Sequence, residues 1–317
     1  MHPSQSDPTG PKRLSVVIPV YFNAATLPAL FQELQAVEHD LLGLGLAMEL
    51  IFVNDGSGDD SQAELLKIRA QRPATRVIKH TRNFGAIRAI KTGYRYVTGD
   101  CFTILAADLQ DPPRLIVDMA RHWLQGRKYV VCERESRDDP WSSRVMSWFY
   151  YRLVHLFVSK EFPSGGYDLA LMDRAMLPYL VNSSKSAYIH LLAFWLGFQA
   201  TVIKYHRQKR LHGRSRWTIW KKLNASVDAI AGFSIAPVRL MTGVGLTVAL
   251  CSFLYGTFQV VRALVGRSEV PGFASLASLI AFSLGLNMVM MGVMAEYLWR
   301  IFLDVNPRPE SVVEEEL

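Results

Sequence analysis

The chain has 317 residues, of which 50% are apolar, and its mean hydropathy is positive. Such a composition is too apolar for an ordinary cytosolic protein, whereas the length suffices for one α/β domain plus a membrane anchor. The formal net charge of +7 does not point to nucleic acid as a partner, because the densest basic run, residues 204–216, lies shortly before the apolar C-terminal region, where basic clusters usually contact anionic lipid.

The first part of the chain predicts a flexible tail and then an α/β domain. Residues 1–12 are polar, contain proline and lack an apolar segment, so no signal peptide is expected. Between residues 13 and 211, short β-branched runs alternate with helical patterns, which is typical of a mostly parallel sheet built from βαβ units. The predicted strands are residues 14–20, 49–53, 76–79, 102–105 and 129–131.

Polar residues follow these predicted strands. Because ligands of such sheets bind at the carboxyl ends of the strands, these residues are the first candidates for a binding site. They are Tyr21, Asn23, Asn54, Asp55, Arg82, Asn83, Asp108 and Gln110.

The segment 54–60 ends a predicted strand and opens a helix. Asp55 is placed to accept hydrogen bonds from a base or a ribose, while Ser57 and Asp59 are expected to cap the helix. By itself the pattern is weak, since any turn between a strand and a helix favours Asp, Gly and Ser. The acidic motif about fifty residues later makes it stronger.

The segment 108–113, Asp-Leu-Gln-Asp-Pro-Pro, follows a buried strand. Asp108 and Gln110 stand two residues apart, so in an extended segment their oxygens point the same way and could bind Mg²⁺ or Mn²⁺ together with a diphosphate. The alternative is a helix start, with Asp111 as N-cap and Pro112 at the first helical position. That alternative stays open for Asp111, but it explains neither Asp108 nor Gln110.

Two amphipathic stretches precede the apolar C-terminal region. The stretch within residues 212–236 carries lysines among tryptophans, which favours a helix lying in the lipid headgroup layer. The aromatic-rich stretch 141–157 fits an interfacial helix or a core helix equally well.

The C-terminal region predicts a transmembrane hairpin over residues 237–303. Leu240 to Val261 is uncharged over about 22 residues and Val270 to Ala295 over about 26, enough for each to cross a hydrocarbon core of ~30 Å. The predicted spans, about 240–262 and 271–296, are followed by a tail over residues 304–317. With the first domain in the cytoplasm, two spans return this tail to the same side.

An ordered set of motifs resembles one enzyme family. Residues 14 to about 240 look like the GT-A domain of inverting family-two glycosyltransferases, and the predicted spans narrow the resemblance to the polyprenyl-phosphate glycosyltransferases, such as bactoprenol glucosyltransferases, dolichol-phosphate mannose synthases and undecaprenyl-phosphate aminoarabinose transferases. The matching motifs are Val17-Ile-Pro-Val-Tyr21, Asn54-Asp-Gly-Ser57, Arg82-Asn-Phe-Gly85, Ala107-Asp-Leu-Gln-Asp-Pro-Pro113, Tyr167-Asp-Leu-Ala-Leu-Met-Asp-Arg174 and Gly213-Arg-Ser-Arg-Trp217.

The resemblance implies an inverting transfer of a hexose from a nucleotide-sugar, for which UDP is the expected nucleotide, to undecaprenyl phosphate. The product would serve the modification of cell-envelope glycans such as lipopolysaccharide. The protein would then lie in a bacterial inner membrane as a homo-oligomer and need Mg²⁺ or Mn²⁺. The residues expected to bind the donor are Pro19, Tyr21, Asn23, Asp55, Arg82, Asn83 and Asp108. Those expected to bind the metal are Asp108 and Gln110.

The resemblance places Asp168 at the acceptor. A lipid phosphate with a second pKa near ~6 is already mostly ionised at neutral pH, so we expect Asp168 to orient the nucleophile or the sugar rather than to remove a proton. Asp168 could instead pair with Arg174 across a turn. Guanidinium groups suit phosphate, and the residues predicted to contact the acceptor phosphate are Arg134, Arg144, Arg207, Arg210, Ser215 and Arg216.

Three positions depart from the family pattern. Ala106 replaces a frequent Asp, Phe22-Asn23 replaces Asn-Glu, and Arg216-Trp217 replaces Lys-Tyr. A non-catalytic subunit with a degenerate domain that binds a nucleotide-sugar or supports a flippase therefore stays an alternative. A processive polysaccharide synthase is less well supported, since it needs more spans and a Gln-x-x-Arg-Trp motif.

Overall fold

The structure, a computed structural model, describes residues 11–134, 152, 154–155, 162–163, 166–185, 187–206, 236–265 and 272–317. The strands are β1 (Lys12–Val20), β2 (Leu46–Asn54), β3 (Arg76–His80), β4 (Cys101–Ile104), β5 (Tyr129–Arg134), β6 (Tyr167–Asp173), β7 (Ala200–Tyr205) and β8 (Val313–Glu316). The helices are α1 (Leu27–Gly43), α2 (Ser61–Gln71), α3 (Ala86–Tyr94), α4 (Leu115–Leu124), α5 (Leu177–Val181), α6 (Ile189–Trp195), α7 (Ala236–Leu264) and α8 (Phe273–Val305), with a short 3₁₀ turn at Arg174–Met176.

The eight strands form one sheet in the order β7-β5-β6-β4-β1-β2-β3-β8. Strands β1 to β5 and β7 run parallel to one another, whereas β6 and β8 run antiparallel to their neighbours. The predicted α/β domain with a mostly parallel sheet is thus confirmed. The five predicted strands correspond to β1 to β5, and β6, β7 and β8 were not predicted as strands.

The sheet is buried on both faces, which explains why its central strands are almost continuously apolar. On one face α1 packs its buried stripe, Leu27, Leu30, Phe31, Leu34, Val37 and Leu41, against β1 and β2 together with residues of α4. On the other face lie α3, α5 and α6. In α3, Gly93 lies so close to the sheet that a Cβ atom would come within 2.3 Å of Val17 Cγ1.

The chain after α8 returns to the sheet. Strand β8 pairs antiparallel with β3, and Leu317 exchanges two backbone hydrogen bonds of 2.9 Å with Val77. The sequence predicts only a separate cytoplasmic tail here. The strand was missed because a run of glutamates is a poor strand pattern, and edge pairing of this kind depends on backbone groups rather than on side chains.

Helices α7 and α8 are long and expose apolar side chains, including Leu246 and Phe253 in α7 and Met288 in α8. Within the part of the chain that the structure describes, one helical segment, Val238–Phe258, is both long and apolar enough to cross a membrane by length and composition. The second predicted span falls on α8, and the two-span hairpin stays a prediction.

Candidate active site

One edge of the sheet gathers most of the predicted site residues. The parallel strands β1 to β5 all end at this edge, and β6 begins there because it runs antiparallel to β4 and β5. The loops after β1, β2, β3 and β4 therefore lie at the same edge of the sheet as Arg134, the last residue of β5, and Asp168, the second residue of β6. The expectation that the site lies at the carboxyl ends of the strands agrees with this topology.

Asp55 follows β2 and is 2% exposed. Its Oδ1 accepts hydrogen bonds from the backbone N–H of Phe84 and from His80 Nδ1, both at 2.8 Å, and its Oδ2 accepts one from the N–H of Gly85 at 2.8 Å. Burial raises the pKa of the Asp55 carboxyl, but these three donors outweigh burial and hold it below its usual 3.8. Asp55 is therefore ionised, and it fixes the loop after β3.

The loop after β1 is bound to the segment 54–61. Phe22 N–H donates to Ser57 Oγ at 3.1 Å, and Asn23 N–H donates to Ser61 Oγ at 3.0 Å. Helix α2 has Asp60 at its N-cap, so the prediction that Ser57 caps it is wrong. Asp59 accepts from the N–H of Ser61, the first residue of that helix, at 3.2 Å. These bonds bring the polar ends of β1 and β2 together.

The predicted donor-binding residues at the end of β1 and in the loop after it differ in exposure. Pro19 is half-buried inside β1, opposite Val53. Tyr21 is exposed, and its N–H donates to Asn23 Oδ1 at 2.9 Å. The ring of Tyr21 is thus placed on the surface of the site, where a planar ligand group can stack on it.

Arg82 and Asn83 lie in the loop after β3 and are both exposed. The Arg82 guanidinium lies 4.1 Å from the centre of the Phe84 ring and donates to the Asn83 carbonyl at 3.1 Å. This loop touches Gly56, where a Cβ atom would come within 2.4 Å of the Arg82 carbonyl carbon. Gly56 also has a φ of +65°, so a residue with a side chain would be strained there.

Asp108 and Gln110 lie in a turn after β4, both half-buried. Leu109 between them has a φ of +57°, in the left-handed region that bulky residues rarely adopt. The backbone N–H of Gln110 donates to Asp108 Oδ1 at 3.3 Å. The prediction of an extended segment is therefore wrong, because the left-handed residue turns the chain. Strained residues of this kind occur preferentially at functional sites.

Asp111 does not cap a helix. Helix α4 begins at Leu115 with Arg114 at its N-cap, and the buried Asp111 carboxylate accepts a short hydrogen bond from the Tyr205 hydroxyl at the end of β7. The N-cap alternative for Asp111 is therefore wrong, and its carboxylate instead ties the turn after β4 to β7.

Asp168 forms an ion pair with Arg134 across the β5–β6 pair. The side chain of Asp168 is 41% exposed and that of Arg134 is 13% exposed. The alternative pairing of Asp168 with Arg174 is wrong, because Arg174 donates to the carbonyl of Thr98 at 2.8 Å. Two residues that the sequence assigns to the acceptor are thus brought together.

His190 at the start of α6 lines a pocket with Asp168, Ile104, Tyr167, Ile189 and Ala193. Burial lowers the pKa of His190 to about 4, and the positive charge of Arg134 adds to this effect. The imidazole is therefore neutral at physiological pH. The sequence predicts only a packed histidine at this position, because the neighbours of His190 in the helical pattern are apolar. The proximity of His190 to Asp168 depends on tertiary structure and has no local sequence signal.

The donor set available for a cation is small. Within the described ranges, no group of three or more His, Cys, Asp or Glu side chains could hold a metal ion. Asp108 and Gln110 offer a carboxylate and an amide, the oxygen ligands that Mg²⁺ and Mn²⁺ prefer, and the remaining ligands would come from a bound diphosphate and water. Asp108 and Gln110 therefore fit a cation that binds together with a diphosphate.

Several predicted residues lie outside the described ranges. They are the acceptor residues Arg144, Arg207, Arg210, Ser215 and Arg216, almost all of the stretch 141–157, and most of the predicted interfacial region 212–236.

Residues 15–183 match the protein family described as Glycosyl transferase family 2. The chain is 31% identical to an uncharacterized glycosyltransferase of Synechocystis sp., over 95% of each chain. It is 30% identical to the SfII prophage-derived bactoprenol glucosyl transferase of Shigella flexneri, over 95% of this chain and 97% of that one. Among solved structures, a mannosyltransferase of Pyrobaculum calidifontis in complex with GDP-Man and Mn²⁺ is 17% identical over 95% of this chain and 90% of that one, with a TM-score of 0.45.

Proposed function

The chain belongs to glycosyl transferase family 2, and within it to the polyprenyl-phosphate glycosyltransferases, and we propose that it transfers a hexose from a UDP-sugar to a polyprenyl phosphate with inversion at the anomeric carbon. Its glycosyltransferase character and the GT-A fold follow from the family match and the sheet. The observation that carries the proposal is that the Asp108–Gln110 turn follows β4, while the Arg134–Asp168 ion pair lies on the neighbouring strands β5 and β6 at the same sheet edge.

The donor half of the proposed site lies at the ends of β1, β2 and β3. The exposed Tyr21 and the half-buried Pro19 offer apolar surface to the base, with Asn23 beside them as a polar contact. Arg82 and Asn83 offer exposed polar groups to the ribose or diphosphate. Asp55 is already engaged by three protein donors, so we assign it mainly to holding the loop that carries them.

The turn after β4 is assigned to the diphosphate. Asp108 and Gln110 would hold Mg²⁺ or Mn²⁺, and the bound cation would stabilise the charge of the departing nucleoside diphosphate. The left-handed Leu109 and the hydrogen bond from the Gln110 N–H to Asp108 Oδ1 define the backbone of this turn.

The acceptor half lies at β5 and β6. Arg134 can bind the lipid phosphate through its planar fork while still close to Asp168. Since the phosphate is mostly ionised at neutral pH, removing its proton contributes little, and Asp168 is assigned to orienting the phosphate or the sugar hydroxyls. The neutral His190 beside it can donate or accept one further hydrogen bond.

The lipid acceptor requires the site to lie near a membrane. We propose that α7 crosses the bacterial inner membrane and that α8 forms the second span, with the catalytic domain in the cytoplasm. The exposed apolar side chains of both helices support this assignment. The family resemblance further supports a homo-oligomer.

The full chain, purified in detergent, tests this proposal. We expect incubation with UDP-glucose, undecaprenyl phosphate and Mn²⁺ to give a lipid with the mass of a hexosyl phosphate, and Asp108→Ala to give none. The control is Asp118→Ala, which removes a half-exposed carboxylate from α4 without touching the site. If a panel of UDP-, GDP- and dTDP-sugars gives no lipid product with the folded wild type, the proposal is wrong.

A further inference from the structure

The chain after α8 is part of the folded catalytic domain. Besides the pairing of β8 with β3, the buried Lys91 of α3 forms an ion pair of 2.6 Å with Glu310, and Lys185 donates to the carbonyls of Asn306 and Arg308. The side chain of Lys91 is only 2% exposed. These contacts fix residues 306–310 beside α3 and Lys185, while β8 lies at the edge of the sheet.

A chain of buried side chains links this segment to Asp55. Ser311 Oγ lies 2.7 Å from Thr92 Oγ1, Thr92 Oγ1 lies 3.0 Å from His80 Nε2, and His80 Nδ1 lies 2.8 Å from Asp55 Oδ1. All four residues are at most 9% exposed. Each polar atom therefore depends on its neighbour in the chain rather than on water for a hydrogen-bond partner.

The direction of the first of these hydrogen bonds follows from Asp55. An ionised carboxylate only accepts, so His80 Nδ1 carries a proton and donates the hydrogen bond to Asp55. On the other side of the ring, His80 Nε2 bonds the hydroxyl of Thr92, which in turn bonds the hydroxyl of Ser311. Ser311 therefore fixes the orientation of the Thr92 hydroxyl, which contacts the side of the His80 ring that faces away from Asp55.

We propose that Ser311, Thr92 and His80 are positioning residues for the donor nucleotide, through which the C-terminal segment completes the donor half of the site. The inference rests on the proposed function. Asp55 holds the N–H groups of Phe84 and Gly85, and so sets the loop that carries Arg82 and Asn83. When the hydroxyl of Ser311 is removed, the Thr92 hydroxyl loses the partner that fixes its orientation, and the contact that holds His80 beside Asp55 is weakened.

The same segment ties the donor loop to α8. Asp304 in the last turn of α8 accepts hydrogen bonds from the Ser184 hydroxyl at 2.7 Å and from the Lys185 N–H at 3.1 Å. Only six residues separate this anchor from Ser311. The helix proposed to lie in the membrane is therefore connected to the donor loop by a short, well-held segment.

Removing the Ser311 hydroxyl tests the proposal in the purified full chain. One buried hydrogen bond is worth about 0.5–1.5 kcal/mol, so we expect Ser311→Ala to raise the Kd for UDP and the KM for UDP-glucose about 3- to 10-fold, with kcat within about twofold of the wild type. Ser311→Thr keeps the hydroxyl and should restore both constants. Glu315→Gln, on an exposed position of β8, is the matched control and should change neither.

A second pair of variants guards against a simple loss of folding. Thr92→Val removes the central hydroxyl with almost no change of volume, whereas Thr92→Ser keeps it, so we expect a raised Kd for UDP only in the former. The inference is overturned if Ser311→Ala or Thr92→Val binds UDP as the wild type does, or if the hydroxyl-keeping variants are equally impaired. If the folded wild type neither binds UDP nor transfers sugar, the proposed function itself is wrong. The wild-type assay therefore distinguishes a failure of the proposed function from a failure of this inference.

Discussion

The two carboxylates Asp55 and Asp168 lie at the same edge of the sheet in different environments. Asp55 is buried, and three protein donors hold it at the end of β2. Asp168 is half-exposed, paired with Arg134 and next to a pocket. A buried, fully engaged carboxylate organises structure, whereas an exposed carboxylate next to a cation can still reorganise around a ligand.

The difference divides the proposed site into a preformed donor half and an acceptor half that the substrate completes. In the donor half, the loops after β1, β2 and β3 are joined by hydrogen bonds and by the close approach at Gly56. In the acceptor half, the proposal has Arg134 bind the phosphate while it stays close to Asp168. Substitutions in the first half should therefore change donor binding and folding, and those in the second should change turnover.

The largest expected effect is on turnover. We expect Asp168→Asn to lower kcat by at least about 10²-fold, as removal of an oriented catalytic carboxylate commonly does, with the Kd for UDP within about twofold of the wild type. Lipid product formed per minute at saturating donor measures it, and Asp118→Asn, which breaks the exposed ion pair with Arg121, is the control. An unchanged kcat would show that Asp168 does not orient the acceptor.

The next effect is on donor binding. Gly56→Ala places a methyl group within 2.4 Å of the Arg82 backbone at a φ of +65°, so the loops after β2 and β3 must separate. Overpacking of this kind costs about 1–3 kcal/mol, and we expect UDP to bind at least about 10-fold more weakly by calorimetry. Gly43→Ala, where a Cβ atom meets nothing within 4 Å, should bind UDP normally.

Asp55→Asn should reduce folding stability in a pH-dependent way. The pKa of Asp55 is held below its unfolded value of 3.8, so its stabilising effect is fully present above that pH and is lost as the pH falls through the folded pKa. We expect the variant to lose about 1–3 kcal/mol in urea unfolding at pH 7 and clearly less below pH 3.8. An equal loss at both pH values would mean that the charge of Asp55 is not what matters.

An effect on stability of similar size concerns His190 in the acceptor half. Its pKa is lowered from 6.5 to about 4, so the unfolded chain binds a proton between these values and the folded protein does not. Stability should therefore fall by about 1 to 3 kcal/mol as the pH drops from 6.5 to 4. His190→Gln should remove that part of the slope, whereas the exposed His39→Gln should keep it; identical slopes in all three proteins would contradict the assignment.

The sequence predicted the sheet well because local patterns determine it. The β-branched runs that became β1 to β5, and the polar residues after them, follow from periodicity and from the rule for parallel sheets. The conformation of the Asp108 turn was not predictable, since nothing in Asp-Leu-Gln signals a left-handed leucine. The spacing of the sequence predicts which residues form that turn, but not where their side chains point.

Contacts between distant segments account for the remaining differences. Asp168 pairs with Arg134 instead of Arg174 because antiparallel pairing of β5 and β6 brings them together. The approach of Ser311 to Thr92 joins residues 219 positions apart, and no local pattern encodes it. For the same reason, the local sequence around Asp111 is compatible with an N-cap, whereas the carboxylate contacts Tyr205, 94 positions away.

The most direct test of the account is the metal dependence of lipid labelling by the purified full chain. With radiolabelled UDP-glucose and undecaprenyl phosphate, we expect the wild type to label the lipid in Mn²⁺ or Mg²⁺, to lose this activity in EDTA, and to regain it when the cation is restored. Asp108→Ala should stay inactive at every cation concentration. Undiminished lipid labelling in EDTA, or full activity of Asp108→Ala, would contradict a cation held by the turn after β4.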